Sequence, residues 1–240
     1  MNKSNLPQAR PRRLSDRGSK NDLATTGVGF GAAAERFSFS VMHGWLPLAG
    51  FLLLAGVLFV TKADMWWADR LFAWEGHRWA LKSSFATEEL IHKIGRLLSI
   101  VAWVCTTIAW LWTLKQARFA QWRKPLAYLV VSVLVATLLV SWVKSWSNMD
   151  CPWDLLRYGG DRPYVALLQL RPVGLGRGRC FPAGHASAAY AWMSLYFFFL
   201  VVRPQWKWWG LALSAGAGLL FGFSQQVRGA HFLSHDVWTA

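Results

Sequence analysis

The chain has 240 residues, 54% of them hydrophobic, with 17 Trp and a formal charge of +14. Its mean hydropathy of +0.24 and its long runs with few charges exclude an ordinary soluble domain and point to a small polytopic membrane protein. The positive charge could serve nucleic acid or anionic lipid, but its distribution along the chain reads instead as a topology signal, so no nucleic-acid partner is expected.

Residues 1–40 form a polar tail carrying Lys3, Arg10, Arg12, Arg13, Arg17, Lys20 and Arg36. Its Ser, Asn, Gln, Arg and Gly content leaves nothing to bury, so a disordered cytoplasmic tail is expected, with residues 41–240 as the membrane domain. Apolar runs follow at Trp45–Thr61, Leu98–Leu114, Leu126–Val143, Ala186–Val202 and Trp208–Phe223. Each approaches the ~20 residues that a helix needs to cross ~30 Å of hydrocarbon. The first run starts too late and lacks the cleavage site of a signal peptide, so it reads as a retained helix.

The connections between the runs differ in charge. Lys115, Arg118, Arg123 and Lys124 follow the second run without an acid, and Arg203 and Lys207 follow the fourth. Together with the tail they share one side of any alternating topology, which the positive-inside rule makes cytoplasmic. The other two connections mix signs and face outward. The first, Lys62–Gly95, spaces Met65, Trp66, Leu71, Phe72, Trp74 and Trp79 as helix faces do, so helices lying at the interface are expected there. The second, Lys144–His185, is punctuated by Pro and Gly and too long for a mere connector, which suggests function. It holds Cys151 and Cys180. Outside the cytoplasm they read as a disulfide, the alternative being two separate buried thiols. No ligand spacing accompanies them, so no zinc or other metal is expected.

Two polar clusters flank the last crossings: Cys180–Phe181–Pro182–Ala183–Gly184–His185, and Arg228 through Asp236. If the fourth and fifth runs go over and come back, His185 and His231 return to one face, beside Lys144 at the end of the third run. Ionisable groups at one membrane depth are costly unless they serve a site. Cations that neutralise phosphoryl oxygens and histidines that act as nucleophile or proton donor suit a phosphate ester. Arg228, His231 and His235 are spaced to share a helix face. Gly184 lets backbone approach an anion at the start of a helix. Taken singly, each histidine or cation would be an interfacial anchor; it is their convergence that suggests a site.

The ordered set resembles the type-2 phosphatidic-acid phosphatase superfamily, whose motifs are Lys-x6-Arg-Pro, Pro-Ser-Gly-His and Ser-Arg-x5-His-x3-Asp. This chain has Lys144 and Pro152 at matching spacing, then Pro182–Ala183–Gly184–His185, then His231. It departs where Cys151 replaces the first arginine, Ala183 replaces serine, Gln225 stands at the second arginine with Arg228 three residues on, and His235 takes the aspartate position beside Asp236. The resemblance implies an all-α membrane bundle, read here as five clear spans and the start of a sixth. It implies a metal-independent, cofactor-free lipid phosphatase on the outer face of a bacterial-type inner membrane. His231 would be the nucleophile and His185 the acid, with His235 or Asp236 orienting His231 and Lys144 and Arg228 holding phosphate. A disulfide would hold the first two motifs together, and Arg177 or Arg179 would restore the missing charge. A lipid phosphotransferase, a transporter and a silent scaffold are the alternatives. Phosphatidate, phosphatidylglycerol phosphate, polyprenyl diphosphate and lipid A phosphates all fit as substrates, and the sequence sets no oligomeric state. The chain ends just after the second cluster, so a longer native protein is expected.

Overall fold

The computed structural model describes residues 36–166 and 169–240. Among them the fold is all-helical, with one isolated bridge between Leu155 and Arg162. Residues 1–35 of the expected tail lie outside the described residues, while Arg36–Ser40 begin a helix. Four helices are long and apolar enough to cross a membrane: α1, Arg36–Thr61; α3, Phe85–Lys115; α4, Ala117–Trp146; and α5, Gly184–Val202. Between the first two lies α2, Ala63–Trp74. After them come α6, Lys207–Val227, and the short α7, Leu233–Val237. The fifth apolar run lies within α6, which is not among the four. The start of a sixth span is only the five residues of α7.

The chain divides into two compact units, Met1–Leu52 and Leu53–Ala240. The described part of the first is the opening of α1. The second holds all that follows.

Lys62, in the left-handed region with φ 52°, ends α1 and starts α2. The first outward connection only partly forms the interfacial helices that its aromatics suggest. Its second half is continuous with the next span: Ser84, in extended backbone, accepts from the Thr87 N–H at 3.3 Å and starts α3 at Phe85, whose first turns are wound wider than an α-helix. At the other end of α3, Arg123 Nε donates to the Thr113 carbonyl at 2.9 Å, satisfying a helix-end acceptor.

Helix α6 presents Gly210, Ser214, Gly218 and Gly222, four apart and all buried. Such a stripe lets helix backbones approach closely where the hydrophobic effect cannot drive association. The Tyr190 ring of α5 fills the place of a side chain at Gly218, and a Cβ at Gly210 would come 2.8 Å from the Phe199 ring. The opposite faces are left apolar and exposed, with Phe59, Leu138 and Leu213 each more than half exposed. A bilayer would cover them.

The long loop after α4 is zipped at its base. Cys151 and Cys180 are disulfide-bonded with Cα atoms 5.2 Å apart. Cys180 N–H donates to the Met149 carbonyl at 2.9 Å, and Ser147 Oγ to the Phe181 carbonyl at 2.5 Å. Asp150, 4% exposed, pairs with Arg162 at 2.6 Å and Arg171 at 2.8 Å. Burial pushes its carboxyl pKa up, but the guanidiniums of Arg171 and Arg162 together hold it below its ordinary range. Leu155 and Tyr158 of this loop pack with Ala68 and Phe232, flanked by Phe72 and Trp79. That small core joins α2, the loop and the segment before α7.

Candidate active site

The last turn of α6 sets the geometry. Gly229, at φ +69°, follows the helix; its N–H donates to the Gln226 carbonyl, and the Ala230 N–H to the Gln225 carbonyl, both at 2.9 Å. This is a Schellman ending, which favours glycine at the left-handed position. The Trp79 ring also occupies the space of a side chain at Gly229. The expected single helix through Arg228, His231 and His235 is therefore corrected. Arg228 lies just past α6, His231 stands in the connection, and only His235 and Asp236 belong to α7. A helix cannot run through a left-handed residue, so the turn, rather than a shared face, brings these groups together.

Arg228 is 6% exposed and firmly held. Its Nε donates to the Lys82 carbonyl at 2.8 Å, one terminal nitrogen to Gln225 Oε1 at 3.4 Å, and the other lies 3.7 Å from Glu88. Burial lowers its pKa, and Glu88 offsets only part of that effect. His231 is buried, with Nδ1 3.2 Å from Nδ1 of His235. Burial first, then His235, Lys144 and His185, push the His231 pKa well below the ordinary imidazole value. It is thus neutral at physiological pH. One of the two facing nitrogens must carry a proton. With that proton on His231, its Nε2 keeps a free electron pair.

His235 is fully buried, edge-on to Phe181 at 5.2 Å and Phe232 at 5.4 Å. Asp236 faces elsewhere. Its carboxylate accepts from Gln226 Nε2, whose own Oε1 accepts from Trp67 Nε1 at 2.7 Å. A Cβ on Gly222 would lie 2.6 Å from the Asp236 carboxyl carbon. Burial raises the Asp236 pKa to about 7. Of the two candidates for facing His231, the structure brings His235 there and leaves Asp236 in a packing network. The start of α7 is capped by Asp64, which accepts from the Ser234 N–H at 2.7 Å and hydroxyl at 2.5 Å.

Lys144, in the last turn of α4, sets its ammonium 3.4 Å from where a Gly184 Cβ would stand. Gly184 opens α5, and Ala183 before it is fully buried, its N–H donating to Thr239 Oγ1 at 2.9 Å. His185 follows within reach of the charges of Lys144, Arg96 and Arg228. Gly184 and His185 line one end of a cavity of about 370 Å³ whose wall runs past Arg96 and Ser99 to Trp103 and Val133. It lies between α3, α4 and α5, and its lining mixes apolar Ile100 and Leu134 with the hydroxyls of Thr137 and Ser141.

Arg179 and Arg177 stand exposed on the loop. Among the described residues, Arg179 makes no ionic contact, and the cations acting on His185 come from other elements. Cys151, Asp154 and Cys180 come within 4.8 Å of one another. The disulfide leaves neither sulfur as a thiolate for a metal.

The motifs gave no role to α3. His92 stacks on His185 with centroids 3.5 Å apart, and its Nδ1 lies 3.1 Å from Gln225 Nε2. Glu88, His92 and Arg96 recur every fourth residue at the outer edge of the second apolar run. That spacing was the available signal.

Residues 125–240 match the family model described as the PAP2 superfamily. No curated protein and no solved structure matches the chain.

Proposed function

Because the chain belongs to the PAP2 superfamily through residues 125–240, a group of membrane phosphatases, we propose that it hydrolyses a phosphomonoester or diphosphate of a membrane lipid through a phosphohistidine on His231. The observation that carries this reading is the neutral, buried His231, its Nδ1 3.2 Å from His235, in a site that also gathers His185, Lys144 and Arg228.

In the first step His231 Nε2 attacks phosphorus and forms the N–P bond. The bond from phosphorus to the lipid oxygen breaks, and that oxygen leaves with its electron pair and takes a proton from His185. His235 accepts the Nδ1 proton of His231 in a hydrogen bond, fixing its tautomer and bearing part of the positive charge that grows on the ring. In the second step water attacks phosphorus and gives a proton to His185, the N–P bond breaks, and inorganic phosphate leaves. Both histidines are then restored. Lys144, the free N–H groups opening α5 and Arg228 neutralise the phosphoryl oxygens throughout. Arg179 has no part in this arrangement. The step needs no metal.

The cavity between α3, α4 and α5 supports a hydrocarbon chain entering sideways from the bilayer. Helix α6 has 21 residues, about 31 Å at 1.5 Å per residue, and serves as the fifth span, returning the chain to the face of His185. With basic segments at 1–36, 115–124 and 203–207, the N-terminus is cytoplasmic and the site lies on the outer face of a bacterial-type inner membrane.

Purified protein should be assayed in mixed micelles against phosphatidate, phosphatidylglycerol phosphate, a polyprenyl diphosphate and lipid A, with EDTA present. Phosphate release matching the dephosphorylated lipid is expected for at least one of them. A phosphorylated second lipid in place of free phosphate would make the protein a transferase. Loss of all activity with EDTA would overturn the metal-free step.

A further inference from the structure

Resting on the phosphatase reading above, we propose that His92 is a positioning residue for His185, the donor of the leaving-group proton, and that α3 thereby supplies a fourth wall of the site. Nothing in the three family motifs reaches α3, and it lies wholly before the matched residues 125–240.

The side-chain oxygen of Gln225 accepts from Arg228, so its amide nitrogen is the atom turned to His92. An amide nitrogen only donates, so His92 Nδ1 accepts, and a neutral His92 ring carries its proton on Nε2. Gln225 therefore sets both the flip and the tautomer of His92. An arginine there, as in the family motif, could also donate to His92 Nδ1, but a guanidinium has no acceptor with which to take the Arg228 bond.

The ring so fixed lies on His185 at 3.5 Å with an interplanar angle of 29°. His185 sits in the first turn of α5, where its ring could otherwise swing between rotamers. A flat partner on one face removes that freedom. The same helix ties down the rest of the wall. Glu88, four residues before His92, faces Arg228 at 3.7 Å, and Arg96, four after, lines the cavity beside His185. The groups facing His92 are thus His185 from α5, Gln225 and Arg228 from the end of α6, and Glu88 and Arg96 from α3 itself.

A residue that acts through leaving-group protonation can be told from one that merely supports the fold. An alkoxide needs a proton as it departs, whereas a nitrophenolate does not. Two phosphate esters with the same hydrocarbon chain, one alkyl and one nitrophenyl, should be compared as kcat/KM, which reads the steps up to loss of the leaving group. His92→Ala is expected to lose about 10- to 100-fold on the alkyl ester and less than about threefold on the nitrophenyl ester, within the range of positioned proton transfer. His185→Ala should show the same asymmetry, and His231→Ala should lose both. His92→Phe, which keeps the flat partner, should recover part of the alkyl rate, and it carries the test if His92→Ala fails to fold in detergent. Equal losses on the two esters, or no loss on either, would overturn the proposal. A wild-type protein inactive on both would instead overturn the phosphatase reading on which it rests.

Discussion

Replacing His231 by glutamine is expected to lower kcat/KM for lipid phosphate hydrolysis by at least about a thousandfold, the scale on which loss of a nucleophile is felt. The expectation follows from position and protonation together. His231 is 5% exposed, so glutamine, of similar length, can fill the space without opening a cavity. Its amide can still bond His235 Nδ1, so the turn through Gly229 and the start of α7 should be kept. What glutamine lacks is a nitrogen with a free pair. Burial favours the neutral His231 ring, and in the proposed mechanism a Nδ1 proton donated to His235 leaves Nε2 as the attacking atom. A variant with unchanged thermal stability and no measurable phosphate release is the predicted outcome. If it kept more than a tenth of the wild-type rate, His231 would not be the nucleophile.

The second large effect separates His235 from Asp236. His235→Phe should keep the packing against Phe181 and Phe232 while removing the acceptor for His231. A loss of about 10²- to 10⁴-fold is expected, as when the orienting member of a triad is removed. Asp236→Asn should leave the rate within a few-fold, because an amide oxygen can accept from Gln226 as the carboxylate does. Its effect should fall on stability. Asp236 is raised to about 7 in the fold, first by burial and against the Gln226 bond, whereas an unfolded aspartate titrates near about 3.9. The folded state thus binds the extra proton between those values. The stability this contributes is full below the lower value and is lost as pH rises through the upper one. Asparagine cannot ionise, so the variant should match the wild type near pH 4 and unfold at higher temperature than it at pH 8. Thermal unfolding in detergent across that range, beside the two rates, checks both halves. Loss of activity in Asp236→Asn with retention in His235→Phe would reverse the assignment.

Much of this arrangement could be read before any coordinates. Spans announce themselves because hydrocarbon tolerates only long apolar helices, and four of the expected runs lie within helices of that kind. The position of α6 was legible, but its working face was not read: Gly210, Ser214, Gly218 and Gly222 are a packing stripe that apolar-run counting passes over. The pairing of His231 with His235 was left open because His235 and Asp236 are neighbours in the chain, and a choice that fine depends on where the turn at Gly229 aims each side chain. His92 and Arg96 were missed for a different reason. They belong to the opening of a helix whose apolar run, starting at Leu98, begins thirteen residues after the helix itself does at Phe85, since Phe85–Ile94 carries too many charges to look like part of a span. The four-residue spacing of Glu88, His92 and Arg96 becomes informative only once that segment is known to be helical.

The central claim is that phosphate passes through His231. The direct measurement is to quench the protein in alkali during turnover of a lipid phosphate labelled in its phosphoryl group, digest it, and locate the label. Label is expected on the peptide containing His231, stable in base, lost in acid, and absent from His231→Gln. Label on another residue, or none under conditions where phosphate is being released, would contradict it.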